Sequence, residues 1–281
     1  MGNIIDGKKI SQEIKDELRE SVIQLNENGI TVTLAVVLVG DDPASAVYVS
    51  NKKKACEYIG ITSKSYELSA ETTQAELLEL IGTLNADKNV NGILVQLPLP
   101  KQIDENTIIN AIAPEKDVDC FHPQNVGALS LGQNGFLPCT PAGVIQLLKR
   151  SDIKIEGKEC VVLGRSNIVG KPMATLLLQE NGTVTICHSK TKDLKEVTKR
   201  ADILVVAVGR PKMIDASYIK DGAVVIDVGM HRNADGLCGD VDFVSAEKQA
   251  KAITPVPGGV GPMTIAMLMS NCVTAAERKL Q

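Results

Sequence analysis

The sequence predicts an α/β protein in two domains. Three observations carry that expectation. Short aliphatic runs alternate with segments of helical periodicity along the whole chain, the pattern of parallel sheets joined by helical crossovers. The chain has 281 residues, which is roughly two domains' worth. Aromatic residues make up only 2% and Trp is absent, against 44% hydrophobic residues, so the cores must be aliphatic, as in Val- and Ile-rich parallel strands.

The elements can be read in order. Ile10, Ile14, Leu18, Val22 and Leu25 repeat at helical spacing, and Gly29 marks the stop. Residues 34–39 form a short apolar run, read as a buried strand. It ends in Gly40-Asp41-Asp42-Pro43, which places Pro to open a helix over 43–59, with Gly60 as its C-terminal cap. Thr73 with Glu76 reads as a capping box ahead of Leu77, Leu80, Ile81 and Leu84. Residues 92–97 read as a second buried strand, closed by Pro98-Leu99-Pro100. The stretch 114–138 holds Pro, Gly, Asp and Asn with little periodicity, and the domain hinge is expected in or just after it. Thr140 and Pro141 read as the N-cap and first residue of a connecting helix to about residue 150. Beyond it, strands are expected at 160–163, 183–187, 203–208 and 223–228, and helices near 170–179, 194–200 and 262–277.

Composition excludes several classes of function. Lys and Arg total 30 against 34 Asp and Glu, a net charge of −4, which argues against a general nucleic-acid binder. No run approaches the length of a membrane span. The N-terminus lacks both a basic flank and a long apolar stretch, so no signal peptide is expected and the chain reads as cytoplasmic. Seven Cys, no two within four residues of each other, read as buried free thiols rather than a zinc knuckle or redox pair. His122 and His231 have no ligand-spaced partners, so no metal site is assigned.

The second half carries a candidate dinucleotide site. Val161-Val162-Leu163 runs into Gly164-Arg165-Ser166-Asn167-Ile168-Val169-Gly170, a strand, a Gly-bearing turn and a helix start of the kind that meets a phosphate. The spacing departs from G-x-G-x-x-G, and an ordinary βα turn would also use glycine. The next strand ends at Cys187-His188-Ser189-Lys190-Thr191, where NAD-type sites place an acid for the ribose 2′-hydroxyl. No carboxylate follows until Asp193. Ser189 and Arg165 suit a 2′-phosphate instead, so the cofactor leans to NADP; a solvated turn and a surface charge are the plain alternatives. Glycines also bound Ala207-Val208-Gly209 and Asp227-Val228-Gly229-Met230, at strand ends over which ligands sit.

The first half offers different chemistry. Tyr48 and Lys52 share one helical face at i, i+4. A lysine partly desolvated beside a phenol can exchange protons; against this, Lys52, Lys53 and Lys54 also read as a plain basic run on a solvated face. Gln96 interrupts an apolar strand, so its amide must be hydrogen-bonded, to ligand or to local backbone. Asp117 and Asp119 fall in the expected hinge. A carboxylate there can accept two parallel N–H bonds from an amidine-like ring edge, or serve a turn.

Taken together, these segments are recognisable. Tyr48 to Lys52, Val95-Gln96-Leu97-Pro98-Leu99-Pro100, Lys116-Asp117-Val118-Asp119, the loop 164–170, and Pro255-Val256-Pro257-Gly258-Gly259-Val260-Gly261-Pro262 occur in this order. Over essentially the whole chain they resemble the bifunctional methylenetetrahydrofolate dehydrogenase/methenyltetrahydrofolate cyclohydrolase family. The resemblance implies a folate-binding catalytic α/β domain at 1–138, completed by 262–281, a Rossmann-type NADP domain at 139–261, and a cleft between them. It implies a homodimer through the cofactor domain and tetrahydrofolate derivatives as substrates. The implied reactions are NADP-dependent oxidation of 5,10-methylene-tetrahydrofolate and hydration of the methenyl product to 10-formyl-tetrahydrofolate.

By the same resemblance, Lys52 is the general acid/base, Gln96 orients it, Tyr48 stacks on or hydrogen-bonds the folate, and Asp119 anchors the pterin edge. Val95, Leu97, Pro257, Gly258 and Gly259 complete the substrate contacts. Gly164, Arg165, Ser166, Ser189 and Met230 contact NADP. An intact Lys52–Gln96 pair speaks against a monofunctional dehydrogenase, and retention of both half-sites speaks against a non-catalytic regulator. One departure stands out: Cys120 replaces a glycine usual in the family. A left-handed backbone there would cost about 1–2 kcal/mol, and the thiol suggests sensitivity of the pocket to oxidation.

Overall fold

The computed structural model describes residues 2–234 and 236–280. The chain divides into two compact units. One comprises Glu13–Leu137 and the residues from Ile265 onward; the other comprises the residues through Gln12 and Pro138–Thr264. The chain opens with β1 (Asn3–Ile4) and α1 (Gly7–Glu27). Then come β2 (Thr33–Val39), α2 (Pro43–Ile59), β3 (Thr62–Leu68), α3 (Gln74–Ala86), β4 (Gly92–Val95), α4 (Glu105–Ala111) and α5 (Pro123–Ser130). The second half holds α6 (Cys139–Arg150), β5 (Glu159–Leu163), α7 (Gly170–Gln179), β6 (Thr183–Cys187), α8 (Leu194–Thr198) and β7 (Ile203–Val206). It continues through β8 (Val224–Asp227), β9 (His231–Asn233), β10 (Gly236–Cys238), α9 (Phe243–Ala246), β11 (Ala252–Ile253) and α10 (Val260–Glu277).

In the first unit the sheet runs β3-β2-β4, all parallel. Every residue of β2 is buried. Val37 sits beside Val95, and the ladder continues one step further as Gln96 N donates to the Val37 carbonyl at 2.9 Å. Asp42 caps α2 by accepting from Ser45 N at 2.8 Å, Pro43 occupies its first turn, and Gly60 closes it at φ 91°. The Thr73–Glu76 capping box is present in both directions. The helix it starts buries Leu77, Ile81 and Leu84 with Val37, Val39, Ile93 and Val95.

Two features of this unit were not legible in the sequence. β3 has only Tyr and Leu as large apolar residues and no hydrophobic run; it forms because β2 offers a complete ladder to one side. α5 lies inside the stretch expected to be irregular. Pro123 starts it, and the His122 ring accepts from Gln124 N at 3.1 Å.

The second unit holds a six-stranded sheet, β1-β11-β8-β7-β5-β6, with every neighbouring pair parallel. Chain order reverses on either side of β5, and this switch point opens between the carboxyl ends of β5 and β7. The core beneath is aliphatic, with Val161, Leu163, Leu204, Val206, Val225 and Ile253 all buried.

Three expectations are corrected here. The first twelve residues belong to this unit rather than to the first domain, because β1 pairs with β11 and Ile5 N donates to Ile253 O at 2.9 Å. A two-residue strand carries no periodic signal. α6 starts at Cys139 with Pro138 ahead of it and no side-chain cap; Thr140 is inside the first turn, its hydroxyl 2.9 Å from that of Thr264. α10 begins at Val260, before the Pro262 from which it was read.

The seven cysteines are free, and all are buried except Cys238, which is partly exposed. Cys120 does adopt the left-handed backbone, φ 62°, where a Cβ costs about 1–2 kcal/mol. Its sulfur turns inward, 1% exposed, and donates to the Phe136 carbonyl at 3.1 Å. Burial pushes this thiol up to about 12, and the Cys56 thiol likewise to about 12. Reactivity requires an accessible thiolate, so the expected oxidation sensitivity at Cys120 is not supported. In the native protein at pH 8, a chromogenic disulfide reagent should titrate Cys238 promptly and the buried six only after denaturation. Rapid native titration of a second thiol, or of Cys120 by mass mapping, would contradict this burial.

Candidate active site

Lys52 lies on α2 one turn after Tyr48. It is 8% exposed, whereas Lys53 is half-buried and Lys54 exposed, so the basic run is not a uniformly solvated face. Its Nζ donates to Gln96 Oε1 at 3.0 Å. The same amide is turned from its own strand end: Gln96 Nε2 donates to the Leu97 carbonyl at 2.7 Å. That bond directs the amide oxygen to the lysine. Among the described residues no carboxylate forms an ion pair with Lys52; an amide orients the amine without adding a negative charge. Burial raises the Tyr48 phenol above its ordinary value, so at neutral pH the hydroxyl keeps its proton and can donate. The buried Cys272 thiol of α10 feels the charges of both Lys52 and Asp119, which belong to one neighbourhood of this unit.

The side chains of the motif around Asp119 do different things. Lys116 donates to the carbonyls of Leu84, Asn85 and Asp87 at 2.8–2.9 Å and so caps the end of α3. Asp117, 2% exposed, accepts from Phe121 N, His122 N and Asn125 Nδ2 at 2.8–3.2 Å. Asp119 is half-buried and lines a recess with Val95, Leu97 and Phe121. Asn271, on α10, donates to the carbonyls of Val118 and Leu137, both at 2.8 Å, and so fixes the chain immediately before Asp119. Nothing local in the sequence pointed to Asn271, since its partners are more than 130 residues away.

The candidate cofactor residues lie in the other unit. The register sets Leu163 beside Cys187 and Val206, so the loops after β5, β6 and β7 emerge side by side. Gly164 has φ 134°, and a Cβ there would meet the Ala207 carbonyl at 2.2 Å. A Cβ on Gly170 would meet the Gly164 carbonyl at 2.3 Å, so the turn folds back closely on itself. Ser166 Oγ accepts from the amides of Val169 and Gly170 at 3.2 and 3.3 Å, organising the start of α7. Arg165 and Ser189 are exposed at the ends of adjacent strands, with Lys190 and Lys192 nearby in sequence and no carboxylate before Asp193. These donors fit a 2′-phosphate. Met230, 42% exposed, follows β8.

Pro257, Gly258 and Gly259 precede α10 in this same unit. Their glycines answer first to the protein itself. Gly258 has φ 107°, and its carbonyl accepts from Lys8 N at 3.1 Å. A Cβ on Gly259 would meet the Pro255 carbonyl at 2.6 Å. A side chain at Gly259 would therefore collide with the chain's own backbone, and no ligand is needed to explain the glycine. Asp240 and His231, neither of them a site residue expected from the sequence, are hydrogen-bonded at 2.7 Å beside Met230, the carboxylate buried and the imidazole partly exposed.

Comparison with known proteins settles the family. Residues 5–119 match the tetrahydrofolate dehydrogenase/cyclohydrolase catalytic domain, and residues 138–280 match the NAD(P)-binding domain of the same family. The chain belongs to the tetrahydrofolate dehydrogenase/cyclohydrolase family. The bifunctional protein FolD of Agathobacter rectalis is 70% identical over 99% of this chain and 100% of its own. The crystal structure of the bifunctional FolD enzyme from Campylobacter jejuni matches with a TM-score of 0.97 and 53% identity, over 99% of this chain and 100% of that one. A Trypanosoma brucei enzyme, solved with NADP cofactor and inhibitor, matches with a TM-score of 0.94 and 41% identity, over 100% and 99%. This dehydrogenase/cyclohydrolase oxidises 5,10-methylene-tetrahydrofolate, hydrolyses the methenyl product, and uses NADP, in one-carbon metabolism.

The two aspartates of the dehydrogenase/cyclohydrolase should separate experimentally. Asp119→Ala should weaken folate binding by tenfold or more, about 1.4 kcal/mol. Asp117→Ala leaves three donors unmatched and should chiefly lower stability, by about 1–3 kcal/mol. An unaltered folate affinity in Asp119→Ala would remove it as the pterin anchor. Arg165→Ala should raise KM for NADP far more than KM for NAD, because only NADP carries the phosphate; an unchanged preference would remove Arg165 from that contact.

Proposed function

We propose that Lys52 is the acid/base of the cyclohydrolase step and that Gln96 holds it in place. The 3.0 Å bond between Lys52 Nζ and Gln96 Oε1 carries this reading. Hydration of the methenyl cation needs a proton taken from the attacking water and a proton returned to the ring nitrogen as the carbon–nitrogen bond breaks. As the neutral amine, with one N–H fixed on Gln96, Lys52 can take the proton of the attacking water, and as the ammonium so formed it can return a proton to the ring nitrogen. Tyr48, one turn away, supplies a protonated hydroxyl and a ring face to the folate. Asp119 accepts the paired N–H groups of the pterin edge. Val95 and Leu97, beside Asp119, are assigned to the substrate by family pattern.

The dehydrogenase step asks less of the side chains. NADP, when bound, supplies the hydride acceptor. The folate nitrogens share the positive charge that develops, so the chain's task is orientation. Gly164, Arg165, Ser166, Ser189 and Met230 are the residues that would hold NADP, with Arg165 and Ser189 on its 2′-phosphate. Pro257, Gly258 and Gly259 are assigned to the substrate by family pattern. The open edge strand β6, with Ile186 exposed on it and Leu178 exposed on α7, supports a homodimer formed through the cofactor unit. The described residues include no helix long and apolar enough to cross a membrane; a cytoplasmic location and no nucleic-acid partner are the companion readings.

Lys52→Met should abolish hydration and leave part of the hydride transfer, so that methenyl-tetrahydrofolate accumulates and is seen by its absorbance. Equal loss of both steps would defeat the assigned role.

A further inference from the structure

The loops after β7 and β8 are tied to one buried carboxylate. Asp240 is 0% exposed. Its Oδ2 accepts from Val208 N at 2.6 Å and Gly209 N at 3.0 Å, and its Oδ1 accepts from Arg210 N at 2.8 Å. Three consecutive amides thus turn inward onto a single anion, a nest closed by the protein itself. The fourth donor is His231 Nε2, 2.7 Å from Oδ1. His231 directly follows Met230. One carboxylate therefore fixes the loop after β7 and the loop after β8, at the carboxyl ends of two neighbouring central strands.

A second buried acid supports the first. Asp227 ends β8, and its carboxylate accepts from Gly229 N, Asp240 N and Val241 N at 2.9–3.0 Å. The flanking glycines make room for both. A Cβ on Gly229 would lie 2.4 Å from the Asp240 carboxyl carbon, and one on Gly239 would lie 1.9 Å from Asp227 Oδ2. Burying two carboxylates is costly unless every donor is in place, and apolar packing could not turn three successive amides the same way. The amide planes give this arrangement a second consequence. In a trans peptide the carbonyl opposes the N–H, so turning Val208 N toward Asp240 sends the Ala207 carbonyl the other way, against Gly164. The same anion thereby sets the approach of β7 to the cofactor turn.

We infer that Asp240, acting through His231 and the amides of residues 208–210, is a positioning residue for the nicotinamide end of the NADP site. This rests on the reading that NADP lies over the carboxyl ends of this sheet with its phosphate at Arg165. The experiment compares His231→Ala, His231→Gln and Arg165→Ala by steady-state kinetics with NADP and NAD, and by hydrolysis of methenyl-tetrahydrofolate without cofactor. Gln retains an N–H donor near the position of Nε2.

His231→Ala should raise KM for NADP and for NAD together, about tenfold, the size of one lost charge-assisted hydrogen bond. The NADP/NAD ratio and the hydrolysis rate should stay within about twofold, and His231→Gln should recover most of the loss. Asp240→Asn should reproduce the effect more strongly; the histidine pair decides the matter if that variant does not fold. An unchanged cofactor KM in His231→Ala, a parallel loss of hydrolysis, or no recovery in His231→Gln would overturn the inference. If Arg165→Ala also leaves the NADP preference untouched, the reading of the cofactor site fails with it; if Arg165→Ala does shift that preference, only the role of Asp240 fails.

Discussion

An amine held by an uncharged amide at the end of a parallel strand is the constraint from which the catalytic unit follows. Lys52 is withdrawn from water, and its amine is satisfied by Gln96 at 3.0 Å. A buried donor left without a partner costs about 1–3 kcal/mol, more when charged, so the helix and the strand must meet in one register. The Asp42 cap and Pro43 fix where α2 begins, and the Val37–Val95 pairing fixes where β4 ends. Gln96 then falls one residue beyond the strand, still tied by its backbone to Val37. Its side chain is left to reach Lys52.

The cofactor unit solves a different problem. A parallel sheet presents backbone at its carboxyl ends, and a ligand there meets main chain before side chain. Loops so placed must be held without bulk. Glycine allows the close contacts of Gly164 with Ala207 and of Gly170 with Gly164. Carboxylates do the rest: Asp240 and Asp227 gather six backbone amides and one imidazole between them. Burial pushes Asp227 up to about 6 despite its three amide donors, so holding it as an anion works against stability at neutral pH. Asp117 serves the first unit in the same manner, taking three donors around the turn that precedes α5.

Much of this was legible in the sequence because it is local. The α2 caps, the Thr73–Glu76 box, the aliphatic strands and the strand–turn–helix at 159–170 are written within a few residues of one another. What escaped depends on partners far along the chain. β3 is specified by β2 rather than by its own pattern, and β1 is specified by β11. Thr140 had the residue type of a cap, but the helix starts one residue earlier and the hydroxyl pairs with Thr264. The site divides the same way. Tyr48 and Lys52 were visible as an i, i+4 pair and Gln96 as a polar break in an apolar run. Asn271 gains its meaning only from carbonyls more than 130 residues away, and Asp240 from three amides 30 to 32 residues away together with His231. Cys120 lies between these cases: the left-handed backbone could be anticipated from the residue it replaces, while the inward turn of its sulfur could not.

The most direct test of the account is a crystal structure with a non-reactive 5,10-bridged folate analogue. The account predicts the pterin edge on the Asp119 carboxylate and a water within hydrogen-bond reach of Lys52 Nζ that lies about 3–3.5 Å from the bridging carbon, a near-attack distance, with the Lys52–Gln96 bond intact. A pteridine ring seated away from that amine, or Gln96 turned from Lys52 onto another partner, would contradict it.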